Sequence, residues 1–420
     1  MNKLRTLEKT LHNGMRVVLI HKPDFMKSIF MCSTQAGGFD KKQMMDNEII
    51  EHPRGCAHFL EHQMFRYEGQ DVSEWFAKYQ AQTNAYTSYK ETTYYFQTSA
   101  DVKPSLRLLL DFVQNLDIDI DSVEKEKGII LSEYDMTMQN PEQQLVLQTY
   151  KSLYHNHPLR QDILGTKEDI SAMQVEQLSK FYQWNYDPSR LILIGVTGKD
   201  VQEIMDLIEE HELQYENQVH DKVECVFENE PVDVKRPYFE KQMDVSFPYV
   251  CVSYKMKPYE NSLEAYRADQ SMELLLEAHF SSLNPDYQRW IDERIITQSC
   301  GAECDFTKDH AYVLFYAQTQ NPEGFIKLVD EVVEKLKTTK IDPRVFEALK
   351  RKNIGTMIRS QDSFETLCFD WMRCLQEGYT YQESMETISR LTQEDVQAVG
   401  ASLDFGQKAI VQIMPKRDKE

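Results

Sequence analysis

Long apolar runs, paired cysteines and positive charge are all in short supply in this chain, and each shortage excludes something. No uninterrupted apolar stretch approaches the ~20 residues that a membrane-spanning helix needs. The opening Met1-Asn2-Lys3-Leu4-Arg5-Thr6-Leu7-Glu8 has charge but neither the apolar segment nor the cleavage site of a secretory signal. Lys and Arg number 47 against 68 Asp and Glu, a net charge of −21. Nucleic-acid binding needs a cationic surface, so that class falls away. The eight cysteines form no C-x-x-C pair, and neither Cys300 with Cys304 nor Cys368 with Cys374 has a zinc-ribbon spacing. Reduced structural thiols and a cytoplasmic location are the expectation.

What is present is the composition of a soluble globular protein, 41% hydrophobic and 27% charged. At 420 residues the chain is too long for one ordinary core, and two domains of about 200 residues each are expected. The sequence turns polar and poor in pattern between Glu212 and Pro237. That places a first domain over 1–215, a linker over 216–237 and a second domain over 238–420.

Met15 to Ile20 follows Asn13-Gly14 and reads as the second strand of a hairpin. Thr83 to Ser88 and Thr92 to Thr98 read as strands rich in Thr and Tyr. Leu106, Leu109, Leu110 and Val113 mark an amphipathic helix, and Ser122 opens another. In the second half, strands are expected over Val245 to Met256, Ala302 to Phe306, Tyr312 to Thr319 and Ala409 to Ile413, with a long helix from Ser262. The order of elements repeats that of the first half. The fold class is therefore α+β, built as two similar layered halves with antiparallel-rich sheets, which implies duplication.

Chemistry concentrates in Gly55-Cys56-Ala57-His58-Phe59-Leu60-Glu61-His62. On a helix, His58 and His62 share one face a turn apart, with Glu61 close by. Two imidazoles at that spacing can hold Zn²⁺, and the carboxylate beside them can take a proton from a water. The string is H-x-x-E-H, the mirror of H-E-x-x-H. Most helical histidines are surface or satisfied core residues, so the pentapeptide alone leaves metal binding and plain packing open. Cys56 reads as a small packing residue.

Catalytic zinc usually has three protein ligands. The candidates for a third lie in the helix Glu124 to Glu133, where Glu126 and Glu133 are two turns apart and face one point. Glu126, Ile129, Ile130 and Glu133 make one stripe, and carboxylates rarely share a face with isoleucines unless something pairs with them. One of the two could ligate while the other orients a histidine. Glu133, among apolar neighbours, is the preferred ligand. Glu124 reads as solvent-facing.

These residues resemble the pitrilysin and insulysin-like metallopeptidases, which include the mitochondrial processing peptidases. The strongest pieces are Gly55 to His62, Thr83-Asn84-Ala85-Tyr86-Thr87-Ser88, Glu126 to Glu133, and His157-Pro158-Leu159-Arg160 with Gly165-Thr166. The resemblance implies His58, His62 and Glu133 as zinc ligands, Glu61 as general base and Glu126 as the partner of a ligand histidine. It also implies that Asn84, Ala85 and Tyr86 lie on an edge strand that pairs with substrate backbone. The interval from His62 to Glu133 is a few positions shorter than in the processing peptidases, a difference that loops absorb.

One departure is in the second half. Many active relatives carry an arginine followed seven positions later by a tyrosine, which hold substrate opposite the zinc. No arginine after the linker here has that tyrosine, and Ile291 stands in the corresponding stretch Tyr287 to Arg294. Short family members pair two chains into a clamshell, sometimes with the zinc on one and the clamp on the other. The expectation is a zinc endopeptidase subunit working with a metal-free homologous partner, or alternatively as a homodimer. Small bacterial relatives associated with maturation of modified peptides look similar, so bacteriocin-like precursors are one expected substrate. The competing readings are a non-catalytic assembly subunit, a general oligopeptide-degrading peptidase and a small-molecule metal hydrolase. An intact His58, Glu61, His62 and Glu133 set speaks against the first, and the Thr83 to Ser88 strand against the last.

Overall fold

Short β-branched and apolar runs separated by tight turns fold into two large sheets, of six and five strands, beside two small ones of three and two strands among the described residues. The computed structural model describes residues 4–45, 47–215 and 222–416. Arg5–Thr10 (β1) and Arg16–His21 (β2) pair antiparallel, and Gly14 at φ +88° makes the turn between them. Ser28–Thr34 (β3), Ala81–Thr87 (β4), Thr92–Thr98 (β5) and Leu191–Thr197 (β6) complete a six-stranded sheet in the order β1-β2-β6-β3-β5-β4. β3 and β6 are buried along their whole length, as central strands with near-continuous apolar sequence should be. β4 lies at the edge. Among the described residues it pairs with β5 and no other strand.

The second sheet contains Tyr238–Met243 (β7), Tyr249–Lys255 (β8), Cys300–Phe306 (β9), Ala311–Gln318 (β10) and Lys408–Pro415 (β11), in the order β7-β11-β8-β10-β9. Strand for strand this repeats β2-β6-β3-β5-β4. In each sheet one parallel pair, β2 with β6 and β7 with β11, is followed by antiparallel pairs. The duplication expected from element order is thus present in topology. The strand expected from Val245 starts later, at Tyr249, and β7 precedes it. Exposed Tyr238, Glu240 and Gln242 give β7 a polar face that reads as loop in the sequence. Of the linker expected over 216–237, residues 216–221 lie outside the described residues.

Contacts divide the chain into two compact units, each with its own apolar core. One comprises Met1–Asp135, Gln161–Phe227 and Ser360–Arg373, the other Met136–Arg160, Glu228–Arg359 and Cys374–Glu420. The helices that carry the site are Cys56–Met64 (α1) and Ile120–Gln139 (α3), while Val102–Val113 (α2) packs on β3 and β5. Pro141–Leu153 (α4) packs on β8 and β11 of the second unit. The start of Phe364–Glu377 (α5) belongs to the first unit, where Phe364 meets Phe25 and the Phe369 ring sits edge-on to Tyr86 at 5.4 Å. No two cysteines among the described residues are joined by a disulfide. Among the described residues no helix is long and apolar enough to cross a membrane.

Candidate metal centre

The helix α1 is buried nearly all round. Cys56, Ala57, His58, Phe59, Leu60, Gln63 and Met64 are inside, leaving Glu61 and His62 on its part-open side. A helix so enclosed keeps polar groups only where something meets them. Its start is set by Gly55, at φ +77°, a conformation costly for any residue with a Cβ. A Cβ there would also fall 2.2 Å from the Leu164 carbonyl oxygen, so the close approach of the 162–165 loop requires glycine. The Cys56 thiol is buried and its pKa is pushed up by desolvation, which makes it inert.

Helix α3 lies alongside, in a register fixed by one polar pair. Ser122 Oγ donates to Gln63 Oε1 at 2.9 Å, and Gln63 Nε2 donates to the Ser122 carbonyl at 3.3 Å. Val123 and Ile130 are the buried residues of α3, and Glu126 and Glu133 follow each of them by three positions on the same side. Ile129, expected in this stripe, is instead 50% exposed. At about 100° per residue it lies off the line through Val123, Glu126, Ile130 and Glu133.

These two helices bring His58, His62 and Glu133 together, with one ligand atom from each lying within 4.8 Å of the other two. His58 Nε2 is 3.6 Å from Glu133 Oε1, and His62 Nε2 is 3.5 Å from Glu133 Oε2. Both distances exceed a good hydrogen bond. They are close to the ~3.3 Å that separates two ligands of a tetrahedral ion bound at 2.0–2.1 Å. The donor set, two imidazoles and a carboxylate, is one that zinc takes. His62 Nδ1 lies 2.9 Å from Glu126 Oε1, the contact that fixes the ring and leaves Nε2 for a cation. Buried His58 Nδ1 has no hydrogen-bond partner among the described residues.

The electrostatics follow the geometry. Burial opposes the charged form of His62, but the bond to Glu126, the Glu133 carboxylate facing Nε2 and the charge of Glu61 outweigh it and raise its pKa to about 9. The His58 imidazole, and then that of His62, hold the Glu133 carboxyl well below the usual carboxylate range.

Glu61 sits between the two histidines in sequence, and its Oε2 accepts a 2.7 Å hydrogen bond from Thr87 Oγ1 at the end of β4. Thr87 is a site residue that motif reading passes over. Its signal is strand alternation: in β4, Thr83, Ala85 and Thr87 share one face and Asn84 and Tyr86 the other. Tyr86 accordingly points away from Glu61; its hydroxyl donates to Glu91 Oε1 at 2.6 Å and its ring meets Phe369. Asn84 is exposed on the edge strand, and its Oδ1 accepts from the backbone N–H of Ala85 at 2.9 Å. In the second unit, Ile291 packs against the core beside the fully buried Trp290.

Comparison with known proteins places the site in context. A sequence profile described as "Insulinase (Peptidase family M16)" matches residues 48–167, the span that holds every residue of the candidate site, and one described as "Peptidase M16 inactive domain" matches residues 172–353. The "Uncharacterized zinc protease YmfH" of Bacillus subtilis (strain 168) is 31% identical over 405 residues, 94% of each chain. The "Mitochondrial-processing peptidase subunit beta" of Lentinula edodes is 28% identical over 207 residues, 48% of this chain and 45% of its own. A crystal structure described as a putative M16-like peptidase from Alicyclobacillus acidocaldarius matches with TM-score 0.94 and 27% identity, over 99% of both chains.

Proposed function

Because the chain belongs to peptidase family M16, the insulinase family, we propose that it is a zinc-dependent endopeptidase acting on unstructured peptides. The observation that carries this is the convergence of His58, His62 and Glu133 on one point, with Glu61 one residue from a ligand. His58 and His62 would hold the metal through Nε2 and Glu133 through its carboxylate, while Glu126 keeps the His62 ring turned. A zinc ion held there supplies a Lewis acid for the scissile carbonyl and lowers the pKa of a bound water.

The remaining chemistry belongs to the chain. Glu61 accepts the proton of the attacking water and then passes it to the leaving amine. The open edge of β4 offers backbone donors and acceptors at Thr83 to Thr87, so an extended peptide would add there as a further strand. Main-chain bonds tolerate many sequences, which suits an enzyme for precursor or leader peptides; those of ribosomally made, modified peptides are the first group to test. The absence of an arginine–tyrosine clamp in the second half supports a working unit completed by a homologous, metal-free partner.

The test measures zinc content and cleavage of an unstructured peptide library by the purified chain, alone and with homologous subunits encoded beside it. One tightly held zinc, and cleavage lost in Glu61→Gln with zinc retained, are expected. A zinc-free protein, or a Glu61→Gln variant that cuts at the normal rate, would overturn the assignment. Full activity of the chain alone, at dilutions where it is monomeric, would overturn the two-subunit part only.

A further inference from the structure

A glutamate that must meet a water and then a leaving amine has three rotatable side-chain bonds, and something has to hold them. Neither histidine does so for Glu61. What touches its carboxylate is Thr87, whose Oγ1 donates to Oε2 at 2.7 Å. Thr87 is held in turn. It is the last residue of β4 and lies opposite Thr92 in the ladder with β5. The turn that follows is tied by Ser88 N donating to the Glu91 carbonyl at 2.8 Å.

The direction of the Thr87 proton is also determined. Thr92 Oγ1 lies 3.4 Å from Thr87 Oγ1 and spends its own proton on the Ala36 carbonyl at 2.9 Å. Thr92 therefore has nothing to give Thr87, and of the two acceptors within reach Glu61 is much the nearer. The hydroxyl of Thr87 points at the carboxylate, occupying Oε2 and leaving Oε1 free to exchange a proton.

Resting on the peptidase reading above, we infer that Thr87 is a positioning residue for Glu61: its hydroxyl clamps one carboxylate oxygen so that the other faces the reacting water. No water or substrate contact is required of Thr87 itself. The strand whose outer edge would receive the peptide is then the strand that aims the base. A substrate that settles on β4 therefore meets a carboxylate already placed relative to that same backbone. Preorganisation of this kind acts on the chemical step and not on substrate affinity.

The test compares Thr87→Val, which keeps the shape and removes the donor, with Thr87→Ser, which keeps the donor. Both are assayed in the full chain, with a partner subunit if activity requires one, on one peptide that the wild type cleaves. Thr87→Val is expected to lower kcat by ~10- to 100-fold with KM within about two-fold, unchanged zinc content and unchanged Tm. Thr87→Ser is expected to stay within about three-fold of the wild-type kcat, since the donated hydrogen bond survives. Crystal structures supply a readout independent of turnover: in Thr87→Val the Glu61 side chain is expected to leave the position in which Thr87 holds it.

An unchanged kcat in Thr87→Val, or a loss that falls wholly in KM, overturns the inference, as does a Glu61 rotamer indifferent to the substitution. Failure of the underlying reading looks different. There the wild type cleaves no peptide, or Glu61→Gln is as active as wild type, whatever residue 87 is.

Discussion

Glu126 and His62 lie in contact across two helices, Oε1 to Nδ1 at 2.9 Å and 64 positions apart in sequence, closer than either histidine comes to Glu133. The pair fixes which ring nitrogen of His62 is left for a cation, and it makes that nitrogen a better donor. Replacing Glu126 by Gln keeps a partner of the same shape but removes its charge; Ala removes both. Zinc affinity is expected to fall in the order wild type, Glu126→Gln, Glu126→Ala, with a loss of roughly 10- to 100-fold for Ala. Competition with a chelator of known affinity measures it. Equal affinities in all three proteins would mean that the contact is incidental.

The backbone beneath the motif predicts a stability effect far larger than its chemistry suggests. Gly55 has φ +77°, and a Cβ there would sit 2.2 Å from the carbonyl oxygen of Leu164, which is main chain and cannot swing away. Gly165, at φ +81°, faces the Arg54 carbonyl in the same way, 2.8 Å from the would-be Cβ. Gly55→Ala should cost more than about 2 kcal/mol, the sum of an unfavourable left-handed conformation and a clash that the loop has to absorb. Thermal unfolding reads the loss. Because the first turn of α1 shifts with it, weakened zinc binding is expected alongside. A Tm within a degree of wild type would show the loop to be free to retreat.

The candidate metal centre, as a cluster of side chains, was legible in the sequence because its parts are local. Histidines four apart and glutamates seven apart each need only a helix to share a face, and both helices form. Thr87 was not legible as a partner of Glu61, since that contact joins a strand end to a helix 26 positions away. Nor did periodicity resolve Ile129, which sits between two glutamates in the sequence yet turns half to solvent. The same limit applies to α4 and the start of α5. Helical spacing shows which side of Leu145 and Leu153, or of Phe364 and Cys368, is apolar, but not which sheet it covers. These segments cluster with the opposite half of the sequence, a pairing that only tertiary contacts reveal.

A second charged cluster predicts how stability depends on pH. His211 at the end of Val201–Glu212 lies 2.9 Å from Asp111 through Nε2 and 3.1 Å from Glu212 through Nδ1. Glu212 is fully buried and also accepts from Asn13 and Gln114. Burial disfavours the imidazolium, but the bonds to Asp111 and Glu212 and their charges outweigh it and raise the pKa to about 9. The unfolded chain releases this proton near pH ~6.5. The stabilisation is therefore fully present below that pH, declines above it, and is gone once pH passes about 9. His211→Gln should lower stability at pH 6 by about 1–2 kcal/mol and flatten the decline in Tm between pH 6 and pH 10. Parallel Tm profiles for the two proteins would contradict this assignment.

The edge strand offers the most discriminating substitution, because one backbone group can be removed there without disturbing the sheet. Ser88 N bonds inward to the Glu91 carbonyl, and the alternation of an antiparallel ladder then turns the N–H of Tyr86 and Asn84 inward and that of Ala85 outward. The side chain of Asn84 agrees: its Oδ1 reaches round to the Ala85 N–H, a group β5 does not use. Proline is tolerated where a strand's N–H faces out, so Ala85→Pro should leave Tm and zinc content near wild type. It deletes the donor that an incoming peptide strand would need at the position two residues from Thr87. Loss of one such bond corresponds to roughly a five-fold rise in KM, and kcat should change much less than in Thr87→Val. Asn84→Ala probes the same group from the other side. Freed of its internal acceptor, the Ala85 N–H should bind peptide at least as well as in wild type, so KM should stay level or fall. A KM that rises in Asn84→Ala and stays unchanged in Ala85→Pro would assign recognition to the Asn84 side chain and not to the open edge of the strand.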